Sequence, residues 1–377
     1  MQRPHHFVRW AHGHWNCEVC WVEPYPARLP RFSDWRRLRG SHASRQELGP
    51  DWAQSAWLRT LAPHSLPLEP LALGRAWLRH LHRQLRARLL DLLADGDGWL
   101  VIGRPSGLAV DLCAELRGRH VLYDVMDDMP HFSGGLSQRW MRRAHESLLA
   151  EAELVWGSSR KLVDAMHGRT RQPALLVRNG TGLPEITPAA EAAASQDKAL
   201  VLGYVGTIAS WFDWPALIAL AQQLPEARIE VYGPLEAPPP TALPPSIRLH
   251  GPVPHDQVFA LMRGWHAGLI PFVRNTLTAS VDPVKYYEYR ACGLPVLSTM
   301  FGEMPEHARH DPGLWDLEDT ALTASLPWRL AQWGQERAQR LAEGHDPVPA
   351  YIRAASWDAR FASGSQVMED EKNFIAA

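Results

Sequence analysis

"SVDPVKYYEYRACGLPV", residues 280 to 296, places a turn, a short helix and the start of an apolar strand in one stretch. Asp282-Pro283 reads as a helix start, because the aspartate can accept hydrogen bonds from free N–H groups and proline is tolerated at the first helical position. Gly293 ends the helix after about three turns. The same alternation of short apolar run and helical pattern extends over most of the chain, which is the signature of parallel α/β units. Upstream, "CEVCWVEP" (17–24), "GWLVIG" (98–103), "HVLYDVMD" (120–127), "AELVWGSS" (152–159) and "ALLVRNG" (174–180) are candidate strands. Each ends in polar or glycine-rich residues, where open α/β sheets collect ligands.

Between 184 and 199, "PEITPAAEAAASQDKA" has few large apolar residues and no periodicity, so it reads as a linker. The pattern then restarts with strands at 199–207, 228–234, 247–255 and 267–272, and helices at 213–225 and near 256–264. The expectation is two Rossmann-like domains in tandem: residues 1–185, residues 186–355, and a closing helix and tail over 356–377. No G-x-G-x-x-G follows a strand, and there is no phosphate-loop motif and no H-E-x-x-H helix. These absences count against a dehydrogenase, a P-loop kinase and a zinc hydrolase.

The whole chain bounds the function classes. Its 377 residues, 46% hydrophobic, suffice for two ordinary cores. A formal net charge of −2 gives no global pull toward nucleic acid or anionic membrane. No signal-peptide core opens the sequence and no run of eighteen apolar residues occurs, so it reads as a soluble, cytoplasmic chain. Four cysteines agree with that compartment, and Cys17 with Cys20 reads as part of a buried strand rather than as a zinc pair. Only four of the 39 basic residues are lysines: Lys161, Lys198, Lys285 and Lys372. A compact ammonium is thus the exception here, and Lys285 is one of the four.

Lys285 and Glu288 lie three apart and share a face of the helix that follows Pro283. One reading is a surface ion pair. The other uses the preceding loop "NTLTAS" (275–280), whose amides and hydroxyls, those of Thr278 and Ser280 included, precede a helix N-terminus suited to phosphate oxygens. Lys285 would add a point charge to that site, and Glu288, one turn deeper, would accept hydrogen bonds from a ribose diol.

At these residues "EYRACGLPVLST" (288–299) resembles the E-A-x-A-C-G-x-P-V stretch of family-four glycosyltransferases of the GT-B fold, and "DPVKYYEY" (282–289) resembles a teichuronic-acid-type bacterial subgroup. "VLYDVMDDMPHF" (121–132), "AELVWGSSRKLVDAM" (152–166), "VRNGTG" (177–182) and "GYVGTIASWFDW" (203–214) follow the same family order over most of the chain. The resemblance implies two Rossmann-like domains facing across a cleft, and metal-independent transfer of a sugar, hexosyl in type, in bacterial polysaccharide biosynthesis. The donor would be a nucleotide diphospho-sugar and the acceptor a glycan or lipid-linked molecule. Glu288 then corresponds to the second glutamate of the E-x7-E motif, which holds the donor ribose. The first falls on Ser280, which leaves retention or inversion open. The Arg and Lys that follow the first strand of the second domain in the family are also missing from "VGTIASWFDW" (205–214), which makes Lys285 the substitute and puts Gly206 and Thr207 near the donor phosphates.

Such a transfer needs charge stabilisation on the leaving group and, if inverting, a base for the acceptor hydroxyl. No metal-ligand cluster and no cofactor motif is visible, and no nucleic-acid patch. Asp124, Asp127 and Asp128 end one strand, and like charges raise at least one carboxylate pKa, as a proton acceptor requires. Asp127 comes first and Asp128 next; the alternative is that they cap the following helix or bind arginines. His131 and His145 are weaker candidates.

Residues 71–94 hold five arginines, one aspartate and a stripe of Leu78, Leu81, Leu85 and Leu89. That pattern fits either a domain helix with a solvated basic face or peripheral contact with the inner face of an anionic membrane. The opening "QRPHHFVRWA" resembles the loop and helix that follow the first strand in related proteins, so the first strand of the N-domain is expected to be missing, as if from a start codon set too far downstream. The end, "SQVMEDEKNFIAA", is expected to fray. Two rival readings stand beside the transferase: a degenerate binding or scaffold protein, which Ser280 would suit, and a sugar-nucleotide epimerase, which would need acid and base carboxylates close to the donor sugar.

Overall fold

A computed structural model describes residues 2–23, 55–61, 63, 68–71, 74–94, 98–132, 134–182, 200–345 and 348–375. The stretch read as a linker lies outside these. The chain divides into two compact units, residues 1–178 with 361–377, and residues 179–360.

The first unit opens with α1 (Arg3–Trp15), followed by β1 (Val19–Val22) and β2 (Leu58–Leu61), which pair in parallel as a small sheet. Residues 3–8 are therefore helical. Cys17 donates to the Ala11 carbonyl at 3.6 Å, and Cys17 and Cys20 are both half-buried thiols outside any disulfide. Next come α2 (Gly74–Leu81) and α3 (Arg83–Leu93), then β3 (Leu100–Ile102), α4 (Gly107–Glu115), β4 (Val121–Val125), α5 (Gly135–Glu151), β5 (Leu154–Gly157), α6 (Arg160–Met166) and β6 (Leu175–Leu176). The last four strands form one parallel sheet in the order β3-β4-β5-β6. All five residues of β4 and all four of β5 are buried, as expected for strands covered on both faces. Ser106 and Ser159 start the helices after β3 and β5, their hydroxyls accepting from the amides of Ala109 and Leu162 at 3.1 and 3.3 Å.

In the second unit the chain runs through β7 (Val201–Val205), α7 (Trp214–Gln223), β8 (Arg228–Tyr232), β9 (Ile247–His250), α8 (His255–Met262) and β10 (Ala267–Ile270). It continues with α9 (Val284–Ala291), β11 (Val296–Ser298), α10 (Met304–His310), β12 (Leu314–Asp316), α11 (Thr320–Ala342) and α12 (Ala350–Arg353); α13 (Trp357–Ile375) begins in this unit and from residue 361 belongs to the first. The sheet is wholly parallel, with strand order β12-β11-β10-β7-β8-β9. Counted from β7 this is the 3-2-1-4-5-6 order of a doubly wound fold, and the direction of winding reverses between β7 and β10. Asp213 caps α7 by accepting from the Ala216 amide at 3.0 Å, as its place before the apolar run predicts.

The boundary expected near residue 185 lies outside the described residues; the second unit begins at Asn179, where Asn179 and Thr181 bond to Asp282 and Ala355. Three expectations differ from the structure. Asp282 does not cap α9. The N-cap is Pro283, with no side-chain bond to the first turn, and the aspartate is drawn to partners distant in sequence. The single helix expected over 71–94 is broken at His82, and its leucine stripe is divided: Leu78 and Leu89 are buried while Leu81 is 42% exposed. Arg79 and Arg86 pair with Asp111 and Glu115 of α4, so part of the basic face is neutralised inside the fold. Finally, the tail remains helical to Ile375, because Phe361, Ser365 and Met368 recur at helical spacing and are buried, with Phe361 5.2 Å from the Phe7 ring.

Candidate functional site

Gly206 follows the last residue of strand β7, beside the point where the direction of winding reverses, and the loop after β10 leads through residues 275–283 into α9. The crevice at the carboxyl ends of two such strands is where doubly wound folds hold ligands. Gly206 has φ of +149°, and a Cβ there would lie 2.3 Å from Cε and 2.5 Å from Nζ of Lys285. Only a glycine lets the ammonium lie on the strand end. Beside it, Gly233 at the end of β8 (φ +138°) approaches so closely that a Cβ would meet the Gly206 carbonyl at 2.0 Å.

Lys285 Nζ is 5.6 Å from the centroid of the Tyr204 ring, whose hydroxyl donates to the Thr207 carbonyl at 2.8 Å. No carboxylate lies within ion-pair distance of that ammonium among the described residues, Glu288 included. The surface ion pair that the spacing allows is therefore not formed. Burial lowers the Lys285 pKa and the charge of Glu288 partly restores it. Helix α9 is held across the two strands by Tyr289: its ring lies over Gly268 of β10, and its hydroxyl accepts the Val205 amide of β7 at 3.2 Å. The result is a half-buried cation without a counterion, in front of a helix with no side-chain cap. Both features favour an anion.

The other residues read from the sequence are placed as follows. Thr278 is 1% exposed; its hydroxyl donates to the Val273 carbonyl and accepts the Asn275 amide at 3.2 Å, so it shapes the loop. Ser280 is 3% exposed, and its Oγ has no hydrogen-bond partner among the described residues. Glu288 is half-buried on the same helix as Lys285.

Asp127 and Asp128 belong to the first unit, just past β4. Asp128 pairs with His131 at 2.8 Å, and Asp124 is held by both arms of Arg3 at 2.8 and 2.9 Å. Asp127 is half-buried, and its carboxylate has no hydrogen-bond partner among the described residues. Burial, opposed by Arg3 and reinforced by Asp124 and Asp128, pushes its pKa from the ordinary 3.8 up to about 7. His145 is instead tied by Nδ1 to the Tyr123 hydroxyl at 2.7 Å, and burial lowers its pKa. Among the described residues no three His, Cys, Asp or Glu side chains gather as a metal-ligand set.

The raised pKa has a stability consequence. Between pH 4 and 7 the unfolded chain releases the Asp127 proton while the folded chain keeps it, so stability falls as pH rises through that window and the penalty is complete above it. Asp127→Asn is expected to melt at a higher temperature than the parent near pH 8, with the gap closing toward pH 4; melting curves across that range check it.

Three participants escape sequence reasoning. Arg3 reaches Asp124 across 121 residues, and no local pattern marks it. Tyr204 and Tyr289 look like ordinary core aromatics, yet one lies beneath Lys285 and the other fixes its helix.

No family model and no curated protein matches the chain. Solved structures do resemble it. Sucrose-phosphate synthase from Thermosynechococcus elongatus aligns over 86% of this chain and 85% of its own at 16% identity, with a TM-score of 0.56. HepE of Anabaena in complex with UDP-glucose aligns over 94% and 99% at 14% identity, TM-score 0.56. WaaG, a glycosyltransferase involved in lipopolysaccharide biosynthesis, aligns over 90% and 97% at 14% identity, TM-score 0.51. At such identities the likeness carries the fold alone: two Rossmann-like units, the GT-B fold.

Proposed function

We propose that this chain is a metal-independent glycosyltransferase of the family-four kind, which takes a nucleotide diphospho-sugar in its second unit and transfers the sugar to a glycan or lipid-linked acceptor. The observation that carries the reading is the Lys285 ammonium lying on Gly206 at the reversal point of the sheet, with no protein counterion among the described residues. A diphosphate there meets a positive charge, the free front of α9 and two glycine-ended strands. Gly206 and Thr207 border the phosphates, Ser280 offers a buried hydroxyl beside them, Thr278 shapes the loop, and Glu288 receives the ribose diol. Asp127, half-ionised near neutrality, suits deprotonation of an acceptor hydroxyl, with Asp128 as the second candidate.

HepE was solved with UDP-glucose and with UDP, which makes UDP the first nucleotide to test. Calorimetry with UDP and GDP is expected to show binding to at least one, and Glu288→Ala to weaken it about tenfold through the lost ribose bonds. Unchanged affinity in that variant would remove the ribose assignment. The second reading, a binding protein without transferase activity, is favoured by Ser280 at the position of the family's first glutamate. It predicts nucleotide binding with no donor hydrolysis or transfer. Peripheral membrane contact through 71–94 rests now on the exposed Trp77, Leu81 and Leu92, since Leu78 and Leu89 face inward. Flotation with liposomes that shows no dependence on anionic lipid would remove it.

A further inference from the structure

Asp282 is 2% exposed and takes more hydrogen bonds than any cap would need. Its Oδ2 accepts the Asn179 amide at 2.8 Å, the Tyr287 hydroxyl lies 3.0 and 3.2 Å from its two oxygens, and His307 Nε2 is 2.8 Å from Oδ1. Its own carbonyl accepts the Asn179 side-chain amide at 2.6 Å. The bonds continue past Asn179. Its carbonyl accepts Arg360 Nε at 3.2 Å, and the Arg360 guanidinium lies 5.8 Å from the centre of the Tyr287 ring. Two residues on, Thr181 exchanges backbone bonds with Ala355 and Trp357 at 3.1 and 3.3 Å.

Asn179 and Arg360 are the first and last residues of the second unit, so one point at which the chain passes between units is bonded to this carboxylate and the other reaches it through Asn179 and Tyr287. That carboxylate immediately precedes α9, the helix that presents Lys285. We infer that Asp282 is a positioning residue: it fixes the front of α9 against the segments 179–181 and 355–360, so that a nucleotide settling on Lys285 also tightens both crossings. This deepens the donor-site reading and rests on it. The coupling needs no contact between nucleotide and crossing, because a buried, fully bonded network has few alternative arrangements and transmits a constraint on one member to the others.

The test is hydrogen exchange of the full chain with and without saturating UDP or GDP, combined with calorimetry of the same samples. The reporters are the amides of Asn179, Thr181 and Trp357, which bond within this network. In the parent protein the nucleotide is expected to slow their exchange by about tenfold. In Asp282→Asn, which keeps one acceptor oxygen, nucleotide affinity is expected to drop about tenfold and the added protection to vanish. Asn179→Ala removes only the side-chain bond to the Asp282 carbonyl, leaves the carboxylate bonds in place, and covers the case in which Asp282→Asn does not fold. It is expected to reduce the nucleotide-induced protection. A purely structural Asp282 would lower melting temperature without touching the ligand-induced difference. If nucleotide binds and the three amides exchange as before, the inference is wrong while the donor site stands. If neither nucleotide binds, both fall.

Discussion

Replacing Arg290 by alanine is expected to destabilise the second unit by about 3–5 kcal/mol. Arg290 and Asp311 are a buried ion pair, with side chains 1% and 0% exposed, joined at 2.7 and 3.0 Å by two parallel bonds. The remaining valences are filled. Arg290 also donates to the Leu294 carbonyl at 2.7 Å and to the Tyr351 hydroxyl at 3.2 Å, and its guanidinium lies 5.1 Å from the Trp333 ring centre. Asp311 also accepts the Tyr286 hydroxyl at 3.0 Å and the Gly313 amide at 2.8 Å.

Deleting either partner strands the other charge where water cannot solvate it, and that residual charge, more than the lost attraction, sets the size of the effect. A double substitution by apolar residues of similar volume, Arg290→Met with Asp311→Leu, is therefore expected to lose less than either single alanine variant. Denaturant titration of the three proteins checks the ordering. Equal losses for all three would mean that the pair acts by packing alone.

The second large effect is on binding. Lys285→Met keeps much of the apolar stem and removes the charge, and is expected to lower affinity for a nucleoside diphosphate about a hundredfold, the scale of one or two charge-assisted hydrogen bonds. Its stability should not fall. Burial lowers the Lys285 pKa, so between that value and 10.5 the unfolded chain holds a proton the folded one has lost, and stability rises with pH across the window; below it the fold carries the full cost of an unpaired ammonium. The methionine variant escapes that cost and is expected to melt at the same temperature or higher at neutral pH. By the same linkage a diphosphate raises the Lys285 pKa again, so nucleotide binding by the parent should take up protons in alkaline buffer. Calorimetry in buffers of different ionisation enthalpy measures this. Absence of proton uptake in the alkaline range would separate the nucleotide from Lys285.

The strands and helices were readable because parallel strands covered on both faces become short apolar runs, and Val121–Val125 or Val201–Val205 can hardly be anything else. Gly206 and Lys285, 79 residues apart, came together because both stood out locally, one as a glycine after a strand and the other as a rare lysine in a first turn. What was not readable depended on distant partners. Asp282 obeys the local rule for a helix cap in sequence, yet Asn179, Tyr287 and His307 outbid the free amides of α9. Arg3 gives no local hint that its charge opposes the burial that raises the Asp127 pKa. The break at His82 carries neither proline nor glycine, and the flanking Arg79 and Arg86 each follow an acidic partner on α4.

A crystal structure with UDP bound tests the central claim most directly. The diphosphate is predicted to lie within hydrogen-bond distance of Lys285 Nζ, at the front of Val284–Ala291 and beside Gly206. A nucleotide seated elsewhere, with the Lys285 ammonium still resting on Gly206 and touching no phosphate, would contradict it.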